Sequence, residues 1–212
     1  MRSPKAPRRR AVIFRSHGLL QIKHPLIMGA IVAVLMGMAL TAPISSAAIA
    51  AMVFHLNGVP LSEAIHMQEY SGLILASGAA VVGCSCQMIG FAVQSRKDNQ
   101  IGMVISIAIG TSMLQFKNIL KKPIIWLPTI IASAILGPIS TTLLKLVCMG
   151  SSAGMGTAGL VGQIGTFASM GNTWQTWVGI FGLQILAPGI LVFFIDLLFR
   201  KSNLIADGDL TV

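Results

Sequence analysis

Long apolar runs separated by short polar punctuation organise this chain, and each run has the length of a membrane-crossing helix rather than of a strand. A spanning helix needs ~20 consecutive apolar residues. Tyr70 to Gln94, Trp126 to Val147 and Trp174 to Phe199 meet that length, and His24 to Phe54 exceeds it. Pro43 divides the last of these, which predicts a broken helix whose second piece, Ile44 to Met52, packs closely through Ser45, Ser46, Ala47 and Ala48. Pro128 and the Gly137-Pro138 pair predict kinks in the third run.

Two further apolar stretches are irregular. Ile101 to Phe116 is too short to cross comfortably and has basic residues on both sides, Arg96-Lys97 before it and Lys117, Lys121 and Lys122 after it. A re-entrant hairpin keeps both basic loops on one face, as the positive-inside rule asks. The second stretch, Gly150 to Phe167, carries glycine at every third position from Gly156 to Gly165 and lies within an uncharged run that extends from Lys145 to Asp196. Such a sequence either packs tightly against a neighbour or unwinds, and unwound backbone at membrane depth needs protein or water to satisfy its amides. The pattern predicts an all-α fold: a polytopic transmembrane helical bundle of about four spans with two re-entrant or broken-helix segments that approach the midplane from opposite faces.

Composition supports the bilayer as the main solvent, with 54% hydrophobic and 10% charged residues. The net charge of +9 does not indicate nucleic acid, because seven of the fifteen Lys and Arg lie within residues 1–23, where a basic arm beside a first span sets orientation and touches anionic lipid. We expect this arm on the cytoplasmic side, a membrane domain over 24–199, and a polar, frayed cytoplasmic tail over 200–212, with both termini on one face. Cys84, Cys86 and Cys148 sit in apolar surroundings and read as buried thiols. Asp196 and Arg200 are spaced for an i,i+4 pair.

Candidate chemistry is polar rather than charged. Thr111, Ser112, Gln115 and Asn118 concentrate hydroxyls and amides where the first irregular segment must turn, and Thr157 and Gln163 lie in the glycine run. Amides donate and accept at once, as a ring of sugar hydroxyls requires, so these six are the candidate substrate contacts. Each also suits a helix cap or a bond to a neighbouring helix. Ser140, Thr141 and Thr142 are further candidates for the same lining. No P-loop, nucleophile elbow, zinc signature or catalytic triad is visible, and no catalytic residue, metal or cofactor is assigned.

Taken together, Pro25-Leu26-Ile27-Met28-Gly29, Ala42-Pro43-Ile44-Ser45-Ser46, Gly83-Cys84-Ser85-Cys86-Gln87-Met88, Gly110-Thr111-Ser112-Met113-Leu114-Gln115, Leu136-Gly137-Pro138-Ile139-Ser140-Thr141-Thr142 and the Gly154 to Gly165 run resemble the type 2 EIIC membrane family of the bacterial phosphotransferase system. The resemblance covers Pro25 to Phe199 and extends to members named as toxin-expression regulators. Members are longer at the N-terminus, and residues 1–23 are unlike them. The resemblance implies a multi-pass protein of the bacterial cytoplasmic membrane that binds and translocates a sugar or polyol, while a separate cytoplasmic phosphotransferase subunit phosphorylates it. On its own the chain is then at most the membrane-channel component of that enzyme system. The alternative is a permease-like membrane regulator of gene expression without transport, using the basic arm toward a partner. With neighbouring spans missing, a homodimer would cover polar groups otherwise left facing lipid.

Overall fold

The computed structural model describes residues 24–56 and 58–212, apart from the side chain of Glu69. The basic arm, residues 1–23, lies outside the described residues. Within them all regular structure is helical: α1 (Pro25–Thr41), α2 (Ser46–Val53), the single turn α3 (Leu61–Ala64), α4 (Gln68–Gln94), α5 (Ile101–Gly110), α6 (Ser112–Lys121), α7 (Pro123–Leu144), α8 (Val161–Met170) and α9 (Trp174–Lys201). The helices α4, α7 and α9 are long and apolar enough to cross a membrane. In α4, 83% of the most apolar window is buried, against 33% in α9, so α4 is the central post and α9 the flank that meets lipid.

Small residues set the packing. Helix α1 lies in the groove between α4 and α7 because Gly29 faces Gly137 and Gly37 faces Gly83; a Cβ on Gly83 would collide with the Ala33 carbonyl. Helix α1 stops where Ala42 takes the extended conformation expected before Pro43, and Ser45 opens α2 by accepting the Ala48 N–H.

The bundle has two distinct ends. Phe91, Ile107, Ile119, Ile125, Ile205 and Leu210 form one buried cluster at the end that carries Arg96, Lys97, Lys121, Lys122, Arg200 and Lys201, the basic end. Ala64, Ile74 and Val147 form another at the far end, with Tyr70 and Met170 beside it. The first irregular segment folds as a pair of helices, α5 and α6, bent by 119°, and both arms join the basic-end cluster. It enters from the basic end and returns there, as the flanking lysines and arginine require.

One topological expectation fails. The Pro25 carbonyl accepts the Thr141 hydroxyl at 3.0 Å, near the far end of α7, whereas Thr41 reaches Gln87 and Ser112 in the half of the bundle toward the basic end. Helix α2 then climbs back, with Ser46 bonded to the Gly154 carbonyl and the Phe54 carbonyl to the Gly150 N–H. The described chain therefore starts at the far end and finishes at the basic end, so its two ends do not share a face. The physical reason is length: 17 residues of helix cover only about 25 Å, and the Pro43 break reverses the chain instead of kinking a single span.

Candidate functional site

The two irregular segments meet tip to tip. Helix α5 ends in a π turn, Ser106–Gly110; Thr111 follows in extended conformation, and its hydroxyl accepts the Met113 N–H at 3.2 Å to start α6. From the far end the glycine run descends as a 3-10 turn, Gly150–Gly154, and turns through left-handed Gly156, Gly159 and Leu160 before α8 carries it back outward. At the junction Thr157 donates its hydroxyl to the Ala108 carbonyl at 2.6 Å. Gly156 is required there: its φ is +55°, and a Cβ would lie 2.6 Å from the Cys84 carbonyl carbon.

Beside the junction the end of α1 and the start of α7 converge on one amide. Gln87, fully buried in α4, accepts from Thr41 at the end of α1 (3.3 Å), from the Trp126 indole N–H (2.9 Å) and from Thr129 (3.0 Å), both near the start of α7. Thr41 is also 3.0 Å from Ser112, the first residue past the bend. The Nε2 of Gln87 is buried without a hydrogen-bond partner among the described residues.

A second buried network joins the returning arm to α9. Thr166 donates to the Gly162 carbonyl and accepts from Gln184 Nε2, and Gln184 Oε1 accepts from Gln163 Nε2 at 3.0 Å. This chain of donors leaves Gln163 Oε1 as a buried acceptor without a partner among the described residues.

The structure thus brings Ser112 and Thr157 to the hairpin junction, with Thr111 shaping the bend, and places Gln163 in the neighbouring network. Gln115 and Asn118 lie elsewhere, under the C-terminal tail. Gln115 donates to the Leu210 carbonyl (2.9 Å), and Asn118 to Gln115 Oε1 and the Thr211 carbonyl (3.0 Å). Asp98 accepts the N–H groups of Gly208 and Leu210, Asn99 donates to the Leu210 carbonyl, and Leu210 is fully buried. The tail is a docked strap and is not frayed, because main-chain groups that sequence leaves unspecified find amide and carboxylate partners. Ion pairs finish it: Lys122 with Asp209, and Arg200 with Asp98, Asp196 and Asp207. Burial alone would raise the Asp209 carboxyl, but the hydrogen bonds and positive charge of Lys122, the Ala206 N–H and the Arg200 charge hold it below the ordinary carboxylate range. Asp196, in addition to its expected Arg200 partner, meets Arg96 at 3.0 Å.

A cavity of about 530 Å³ opens at the far end, between the first turns of α4 and the end of the returning arm; Ser71, Lys145, Ser169, Thr173 and Gln175 supply its polar lining. None of the six sequence-chosen contacts lines it. The three cysteines are free and buried, as their surroundings indicated.

A helical membrane bundle in which broken segments from opposite ends meet at an uncharged polar junction defines a carrier-type protein. Residues 20–212 match the family described as Phosphotransferase system, EIIC, and the chain belongs to that family. It is a permease-type membrane component of a phosphotransferase system. No curated protein and no solved structure matches the chain.

Proposed function

We propose that the chain binds a sugar or polyol where the two hairpin tips meet, and passes it to the basic end for phosphorylation by a separate cytoplasmic subunit. The observation that carries this reading is the Thr157 to Ala108 contact, which couples the two irregular segments directly, with Ser112, Thr41 and Gln87 beside it. Separating the tips exposes carbonyls, hydroxyls and an amide together, a set that exchanges its internal bonds for those of a polyol at little net cost. The far-end cavity, which reaches the returning arm at Ser169 and Met170, supplies the approach from the opposite side. In this reading the basic end, which carries seven of the eight described Lys and Arg, faces the cytoplasm. In this reading Gln115 and Asn118, which bond the docked tail, are left out of the sugar contacts.

The test is equilibrium binding of radiolabelled hexoses, pentoses and their alditols to the purified protein in lipid nanodiscs. Saturable binding of at least one compound is the expected result. A folded protein that binds none overturns the reading and turns attention to the regulator alternative.

A further inference from the structure

The Gln87 amide has a fixed orientation. An indole N–H can only donate, so the atom of Gln87 2.9 Å from Trp126 Nε1 must be the carbonyl oxygen, and the amide cannot be flipped. The Thr129 and Thr41 hydroxyls lie 3.0 and 3.3 Å from the same oxygen, and the NH2 group is a buried donor with no partner among the described residues. A buried unpaired donor is uncommon enough in folded proteins to need a specific reason. Here it stands between the end of α1 and the start of α7, and Thr41 links it to Ser112 at the hairpin bend.

Charge narrows what that donor meets. Along α4, Gln87 is nine residues from Arg96, about 14 Å of helix. Among the described residues Lys117, five residues past Ser112 on α6, is exposed, and Arg96, Asp98, Asp196 and Arg200 are committed to one another. An anionic group held beside Gln87 would be buried with no counter-charge, which is strongly unfavourable.

We propose that Gln87 is the specificity-determining residue of the sugar site, its NH2 group donating to a hydroxyl or ring oxygen of the substrate, and that the substrate is uncharged: a neutral sugar or alditol rather than a sugar acid or sugar phosphate. The inference rests on the permease reading above. Thr41, Trp126 and Thr129 are positioning residues that hold the amide with its donor free.

The experiment measures binding of the best neutral compound to wild type, Gln87→Met, Gln87→Glu and Trp126→Phe in nanodiscs, with thermal unfolding of each recorded alongside. Gln87→Met is expected to lose ~10-fold or more in affinity. Gln87→Glu keeps the acceptor oxygen but donates only when protonated, so its binding should fall as pH rises, while that of wild type does not, at pH values where unfolding shows the variant still folded; a purely structural glutamine would lose binding only together with the fold. Trp126→Phe releases the carbonyl and should weaken binding several-fold. Hexuronates and hexose phosphates should not compete. If Gln87→Met fails to fold, unchanged affinity in Trp126→Phe overturns the proposal. Wild-type affinity in Gln87→Met, or competition by sugar acids as strong as by the parent sugar, also overturns it and leaves the permease reading intact. Wild-type protein that binds no sugar removes both.

Discussion

Replacing Gly156 by alanine tests whether the tip of the second hairpin is as tightly fitted as the structure shows. Two costs are separable. The left-handed φ of +55° is unfavourable for any residue with a Cβ, by ~1–2 kcal/mol. The added methyl would also stand 2.6 Å from the Cys84 carbonyl carbon and 2.8 Å from the Ser85 nitrogen, backbone atoms of the buried post α4 that cannot rotate away. Forcing extra volume into such a contact costs ~1–3 kcal/mol, so the total is ~2–5 kcal/mol. Gly159 is the control, because it has the same φ of +55° but only Val161 Cγ2 within reach, at 3.8 Å. Gly159→Ala should therefore bear the conformational cost alone, ~1–2 kcal/mol. Reversible denaturation in detergent micelles, followed by tryptophan fluorescence, measures both. Equal destabilisation of the two variants would refute the close approach of the tip to Cys84, and with it the placement of Thr157 against Ala108.

The docked tail gives two more predictions. Leu210→Ala empties a fully buried position in the basic-end cluster and should cost ~2–5 kcal/mol locally, speeding amide hydrogen exchange in α6 and the tail; unchanged exchange there would contradict the docking. Asp209 has its carboxyl held below the ordinary range, so its contribution is present at neutral pH and is lost as pH falls through that lowered value. Tail exchange should rise on acidification below the ordinary carboxylate range and lose part of that pH dependence in Asp209→Asn; an identical profile in the variant would remove the ion pair from the account.

Much of the fold was legible because membranes punish irregularity. Pro43, the lysines around Ile101 to Phe116 and the Gly156 to Gly165 spacing each marked a break or a return, and the structure has an interruption at every one of them. The direction of α1 was not legible, since a proline signals that a helix stops but not whether the chain continues or reverses. The tail escaped because it docks through its own main-chain groups, which no side-chain pattern announces. Gln115 and Asn118 carry the amide chemistry that suits a sugar, and in the structure they bond the tail. Gln87 was missed beside Cys84 and Cys86, which read as buried thiols in an apolar helix. Its signal was available: it is the only amide side chain between Ser71 and Val93, in an apolar helix where an amide needs a partner.

The central claim is that sugar binds at the hairpin junction, and its most direct test compares affinities of Thr157→Val and Ser112→Ala with that of Ser71→Ala, which alters the far-end cavity instead. With the compound that binds best to wild type, the account predicts a several-fold loss in each of the first two, the worth of about one hydrogen bond, and no change in the third. Loss of affinity in Ser71→Ala alone would place the sugar in the far-end cavity and contradict the account.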